Sequence, residues 1–311
     1  MLDRSIRILD FDASIPKQKR LLSEHKNNIL DLRELGAKAR YWASASVRSA
    51  VEKRIKDSAA SAVTFLGSGD FHHITELLIS RFDEPMSVIV FDFHPDWDRL
   101  SWRFACGSWV NQVLRKKNVS RVILIGPSSR DLSTLSIQSG NLSALKDSRL
   151  QIYPYSHPPS LVFLRKIPQN ASTRTESGVF FSRIYWDELK NKKTGDFFQG
   201  LIQGLPDKKV YVSIDKDCLR NEFALTNWEE GVFSLEDLLG MLKLIKQNSD
   251  IVGLDITGDY SPAEVEGAFK KFVSYLDHPR DIKANTVPES VVTAVNEKTN
   301  LALMELLNSS A

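Results

Sequence analysis

The sequence predicts an α/β fold built on a mainly parallel sheet of about eight strands. Two observations point to it. Short β-branched runs recur along the chain with helical segments between them, the pattern of a parallel sheet with crossover helices. Three separate segments also place acidic or imidazole groups where such a run gives way to its loop, and in a parallel sheet those C-terminal strand ends open on one crevice.

The runs read as strands are Ile6 to Leu9, Val63 to Leu66, Val88 to Asp92, Val122 to Ile125, Leu150 to Tyr153, Val179 to Ser182, Val210 to Ile214 and Ile251 to Ile256. Helical spacing occupies Pro16 to Lys38, His73 to Arg81, Trp109 to Lys117, Asp196 to Gly204, Leu235 to Gln247 and Ala263 to Leu276, and a C-terminal helix is expected from Pro288. Ser234 followed by Asp237 is a capping-box start. The Pro-, Ser- and Thr-rich stretch Ser156 to Ser177 reads as a surface excursion. Neither a repeat nor an interdomain linker is visible, so residues 1–311 are expected to form one domain.

Composition narrows the function classes. With 42% hydrophobic and 26% charged residues the chain has the make-up of a packed protein, not a disordered one. A formal charge of +2, from 41 basic and 39 acidic residues, gives no field that would draw it to nucleic acid or an anionic membrane, and a small-molecule partner is the expectation. Met1-Leu2-Asp3-Arg4 is charged at once and unlike a secretory signal, and runs such as Ser87 to Phe91 are too short to span a bilayer. The 2 cysteines, Cys106 and Cys218, are too few for a disulfide framework. A cytoplasmic location is the expectation.

The middle of the three segments, Asp92-Phe93-His94-Pro95-Asp96, follows the apolar run Val88 to Phe91. Alternate residues of extended backbone face one side, so Asp92, His94 and Asp96 can converge, and a buried cluster of that charge needs a cation. The plainer alternative has Asp92, Asp96 and Asp98 capping a turn and pairing with Arg99 or Arg103. Ser213-Ile214-Asp215-Lys216-Asp217 repeats the design, with Lys216 directed away from the convergence point. Gly67-Ser68-Gly69-Asp70-Phe71-His72-His73 permits a tight strand-to-helix turn and offers a neutral nitrogen from His72 or His73. One histidine from this segment, His94 and the carboxylates of Asp92, Asp96, Asp215 and Asp217 form a donor set too oxygen-rich for structural zinc. It suits two divalent ions, Mn²⁺ above Zn²⁺ or another transition metal, and two ions sharing a bridging hydroxide would deliver a nucleophile at neutral pH.

In this order and spacing the motifs resemble those of the ureohydrolase family of arginase, agmatinase and formiminoglutamase, over Leu66 to Pro262. The resemblance implies an arginase-like three-layer α/β/α sandwich around two manganese ions. The family's His-Ser-Ile-Thr is best matched by His72-His73-Ile74-Thr75, which favours His72 as ligand and leaves His73 as the fallback. On the family pattern Asp92 and Asp215 bridge the ions, His72 and Asp96 complete one site, and His94 and Asp217 complete the other. The implied reaction is hydrolysis of a C–N bond in a guanidino, formimino or amide substrate, with Asp96 assisting departure of the amine.

The substrate side departs from the family. Where arginase has a His-Gly stretch this chain has Cys106-Gly107-Ser108-Trp109, which puts the Cys106 thiol in place of a proton shuttle. The family's Asp-Ile-x-Glu is replaced by Asp255-Ile256-Thr257-Gly258-Asp259, and Asp259 is the residue that could approach the lost glutamate's place. Cys106 and Asp259 therefore join Asp96 as candidate catalytic residues. Trp97, Trp102, Trp109 and Trp228 could wall a cationic or amide substrate, although core packing of at least two of them is the plainer expectation. Two rival readings remain: a mononuclear zinc amidohydrolase similar to histone deacetylases, to whose paired histidines His72-His73 is compared, and a family member that keeps metal and fold without turnover. The family's habit of forming closed rings also makes a homo-oligomer an expectation of the resemblance.

Overall fold

Strands that are apolar at nearly every position can be satisfied only by cover on both faces. The computed structural model, which describes residues 5–58, 63–99, 104–277 and 287–309, shows such cover. Its main sheet contains β1 (Ile6–Asp10), β2 (Asn27–Asp31), β3 (Val63–Gly67), β4 (Met86–Phe91), β5 (Val119–Gly126), β6 (Leu150–Pro154), β7 (Lys209–Asp215) and β8 (Asp250–Thr257). The order is β2-β1-β3-β8-β7-β4-β5-β6, and every pairing is parallel.

Alternation along the strands feeds two cores. Val88 and Val90 of β4 join Leu66 and Tyr211 on one face, under helices Ala45–Asp57, Thr75–Ile79 and Trp109–Leu114. Ile89 and Phe91 join Phe65, Val212, Ile214 and Ile256 on the other, under helices Thr194–Gln203, Leu235–Asn248 and Glu289–Asn308. Two helical layers thus enclose the sheet, the α/β/α arrangement expected from the motifs. Among the described residues no helix is long and apolar enough to cross a membrane.

Several sequence expectations need correction. Pro16 to Lys38 is not one helix: it holds a short helix Lys19–Glu24, strand β2 and a second helix Arg33–Ala39. β2 escapes a reading based on hydrophobic pattern because, as Asn-Asn-Ile-Leu-Asp at the sheet edge, it leaves four of its five residues exposed. The strand sought at Val179 to Ser182 runs from Phe181 to Trp186 and belongs to a separate three-stranded antiparallel sheet with Ser160–Phe163 and Thr173–Ser177. The surface excursion Ser156 to Ser177 therefore contributes two strands. Helix Ala45–Asp57, capped by Ser44, was not foreseen, and the helix expected from Ala263 begins at Ala268. Met1 to Arg4, Trp102 and Arg103 lie outside the described residues.

The capping box stands as read: Asp237 N–H donates to Ser234 Oγ at 3.1 Å, and Ser234 N–H donates to Asp237 Oδ2 at 3.0 Å. Ser234→Ala is expected to destabilise the fold by about 1 kcal/mol in chemical denaturation. An unchanged midpoint would show that the cap is redundant with the packing of Leu238 and Met241 beneath it.

Candidate metal centre

The chain lays down β3 and β4 and returns much later to insert β8 and β7 between them. Four neighbouring strands thus end on one crevice, where an open α/β sheet binds its ligands. Asp215 is the last residue of β7 and leads into a 3₁₀ turn, Lys216–Cys218. Asp92 follows β4 directly. After β3, the 3₁₀ segment Gly69–Ile74 carries His72 inward. Asp96, just after Pro95, is held at φ 45°, and Tyr41 at φ 66°; a non-glycine residue in this left-handed region is strained and persists only where its surroundings fix it.

All six predicted ligands come together. His72 Nδ1 stands 3.1 Å from Asp92 Oδ2, 3.4 Å from Asp96 Oδ2 and 3.6 Å from Asp215 Oδ2. His94 Nδ1 stands 2.8 Å from Asp217 Oδ2 and 3.7 Å from Asp92 Oδ1. Two adjoining groups result, His72 with Asp92 and Asp96, and His94 with Asp92 and Asp217, either of which could hold a metal ion. Asp92 is common to both and turns a different oxygen to each. Asp215 is in neither of these tight groups: its Oδ2 faces His72, while its Oδ1 accepts the Asp217 N–H at 3.0 Å. His73 is buried instead against the edge of Phe104, so the imidazole that reaches the cluster is that of His72.

The electrostatics test whether these residues suit a cation. Burial disfavours a charged imidazole, yet contact with Asp92 and Asp96 holds His72, and contact with Asp217 holds His94, well above the ordinary histidine pKa. Burial and neighbouring carboxylates push Asp96 up to about 7, Asp217 to about 6 and Asp215 well above the usual range. Only Asp92 is lowered: burial acts to raise it, but His72 and His94 outweigh that. Raised pKa values at three of the four carboxylates mean that protons offset part of the negative charge gathered here. His72 Nδ1 and Asp92 Oδ2 are moreover buried without a hydrogen-bond partner although they face each other. The donors, their geometry and these orphaned atoms fit a divalent cation.

Residues not singled out as supports by the sequence hold the cluster in place. Trp109, fully buried, donates its indole N–H to Asp96 Oδ2 at 2.7 Å and packs its ring on His72. Glu229 lies 3.1 Å from His94 Nε2, on the side of the ring away from Asp217. Asp215 is seated against two glycines: a Cβ at Gly69 would come within 2.6 Å of Oδ2, and one at Gly258 (φ +88°) within 2.5 Å of Oδ1. Buried Arg40 donates to Asp70 Oδ2 at 2.7 Å and to Ser261 Oγ at 2.6 Å, which ties the loops after β3 and β8 together.

A cleft of about 360 Å³ opens over Asp96. Tyr41, Trp42, Trp97 and Trp228 give it aromatic walls, while Asp98 and Asp131 add carboxylates. No Lys, Arg or His is among its described lining residues. Cys106 lines it too, but burial and the nearby Asp96 carboxylate raise its thiol well above the ordinary value, so it is a poor nucleophile. A larger open groove of about 890 Å³ lies on another side of Trp42, near Arg48 and Arg115, and holds none of the six cluster residues. Asp259 is not brought to the cleft. It is 1% exposed, paired with Lys216 Nζ at 2.8 Å and bonded to Gln18 Nε2 at 2.6 Å, because Lys216 turns away from the cluster and needs a counter-charge.

Two outcomes are expected. Raised carboxylate pKa values mean that the metal-free fold binds protons more tightly than the unfolded chain, so this stabilisation is present at low pH and is lost as pH climbs through about 6 and 7. Added Mn²⁺ must displace those protons, so the rise in Tm that it causes should be larger at about pH 8 than at about pH 5.5. Scanning calorimetry showing no ion-dependent rise, or one larger in acid, contradicts this. Gly258→Ala, which pushes a methyl onto Asp215, should weaken ion binding about tenfold or more in calorimetric titration, and native affinity would show that Asp215 has room to move.

No protein-family model matches the chain. An uncharacterized protein of Thermotoga maritima is 27% identical over 264 residues, covering 85% of this chain and 83% of its own. Among solved structures, the arginase of Bacillus subtilis superposes with a TM-score of 0.53 at 14% identity and covers 98% of each chain. A formiminoglutamase of Trypanosoma cruzi, solved with Mn²⁺, gives 0.51 at 14% identity over 88% of this chain and 93% of its own. These likenesses bear out the family resemblance of the motifs at the level of architecture: the chain has the α/β fold of the arginase and formiminoglutamase structures.

Proposed function

We propose that this protein is a binuclear metal-dependent hydrolase of a non-peptide C–N bond, acting in the cytoplasm on a small cationic guanidine or amide. The observation that carries the reading is the position of Asp92, whose two carboxylate oxygens belong to two adjoining His/Asp groups. In this reading His72 and Asp96 would hold one ion and His94 and Asp217 the other, with Asp92 and Asp215 contributing to both. The Mn²⁺ of the similarly folded formiminoglutamase supports manganese as the ion. Two such ions supply Lewis acidity and make water nucleophilic near neutral pH.

The chain's own groups then have separate tasks. Trp109 fixes Asp96 at the cleft floor, where that carboxyl is the proposed proton carrier to the departing amine. Glu229 holds the outer nitrogen of His94. The aromatic walls exclude water and attract a cation, while Asp98 and Asp131 reject a substrate carboxylate. Cys106 shapes the wall as a neutral thiol.

Steady-state assays of the Mn²⁺-loaded protein across guanidines, formimino acids and acylated polyamines test this. Cationic substrates lacking a carboxylate should give kcat/KM values about tenfold or more above those of arginine or formiminoglutamate. The reverse preference overturns the charge reading. No turnover by fully loaded protein would favour a metal-binding protein without catalysis, and a single tightly held zinc would favour the mononuclear amidohydrolase.

A further inference from the structure

A row of polar residues crosses the apolar sheet in register. Arg7 of β1 pairs with Thr64 of β3, Thr64 with Asp255 of β8, and Asp255 with Ser213 of β7. All four are buried, each flanked along its strand by buried apolar residues such as Ile6 and Ile8, Val63 and Phe65, Leu254 and Ile256, and Val212 and Ile214. Burying them is unfavourable unless each is hydrogen-bonded, so the row requires a reason beyond packing.

The hydrogen bonds supply one. Asp255 Oδ1 accepts from Ser213 Oγ at 2.8 Å and Thr75 Oγ1 at 3.0 Å, and Asp255 Oδ2 accepts from the Tyr211 hydroxyl at 2.7 Å. Three hydroxyl donors directed at one carboxylate match its acceptor-only ionised form. A serine hydroxyl has a single hydrogen. With that hydrogen committed to Asp255, Ser213 Oγ can meet His72 Nε2, 2.8 Å away, only as an acceptor. Nε2 must therefore carry a proton.

We propose that Asp255, acting through the Ser213 hydroxyl, keeps a proton on His72 Nε2, so that Nδ1, which faces Asp92, Asp96 and Asp215, is the nitrogen that would give up its proton to a cation. Asp255 and Ser213 are positioning residues: neither touches substrate, and both act through His72. The inference rests on the two-ion reading for its purpose, but the direction of the hydrogen-bond chain does not depend on any ion. It also explains the choice of ring nitrogen, since the opposite tautomer would aim an N–H at the cation. The second site uses a different device, because the outer nitrogen of His94 meets Glu229 directly. Loss of the Ser213 hydroxyl should therefore affect one ion and spare the other.

The test uses ¹⁵N-histidine-labelled full-length protein, whose 6 imidazoles keep the spectrum simple. In metal-free protein, His72, assigned by the loss of its signal in His72→Asn, should show a protonated Nε2 with a slowly exchanging, downfield N–H. After loading with diamagnetic Zn²⁺, Nδ1 should shift as a metal-bound nitrogen while Nε2 keeps its proton. An unprotonated Nε2 in either state overturns the proposal, whether or not zinc binds. If Nε2–H is present but zinc leaves Nδ1 unmoved, the hydrogen-bond chain stands and the two-ion reading fails. In the variant arm, Ser213→Ala should weaken one of two ions about 10- to 100-fold in calorimetric titration, with the other near its native affinity and partial rescue in Ser213→Thr. Native affinity for both ions in Ser213→Ala would sink the positioning role, and a variant that fails to fold leaves the decision to the wild-type spectra.

Discussion

Four carboxylates crowded at the inner end of a parallel sheet repel one another, and the rest of this structure is arranged around that repulsion. In the dry interior the interaction between like charges is screened far less than in water, and a fold that assembles them must provide compensating positive charge. Two imidazoles provide part of it, and the raised pKa values of Asp96, Asp215 and Asp217 show that protons provide more. The same residues that destabilise an empty cluster are the ones that would hold cations tightly. Strain, unsatisfied atoms and shifted protonation are therefore concentrated where the chemistry is expected.

The sheet topology determines which groups share the crevice. Because β8 and β7 enter between β3 and β4, three motifs far apart in sequence end side by side without a long loop having to reach across. Loops are left to make fine adjustments. Pro95 leads into the left-handed turn at Asp96, the two glycines make room for Asp215, and Arg40 binds the loops after β3 and β8 to each other. Rigid strands set the coarse position of the donors and these local devices set their angles.

The main strands and the ligand set were legible in the sequence because both follow short-range rules: apolar runs for strands buried on both faces, and alternate spacing for groups sharing a side. β2 was not legible, since an exposed edge strand carries no such pattern, and the correct number of sheet strands was reached by counting Phe181–Trp186 of the small antiparallel sheet in its place. The supports of the site were hidden for another reason. Glu229 meets His94 across 135 positions, and Ser213 meets His72 across 141, distances over which sequence offers no rule. Asp255 did leave a trace, a lone acid inside the apolar run from Leu254 to Ile256, but only strand register shows what it pairs with. Asp259 illustrates the opposite error, in which nearness along the chain to a recognisable motif proved a poor guide to where a side chain points.

The contacts of Asp259 bear on the order in which the molecule can be built. Its carboxylate is held by Gln18 near the start of the chain, and Asn300 of the last long helix lies 2.8 Å from Gln18 Oε1, a contact spanning 282 positions. Lys216, between Asp215 and Asp217, is neutralised by that same Asp259. The turn bearing Asp215 and Asp217 is thus clamped by both extremities of the fold. During synthesis the first motifs leave the ribosome long before helix Glu289–Asn308 exists, so the clamp can close only after that helix has been made. The His/Asp cluster therefore reaches its final geometry only after the sheet is complete.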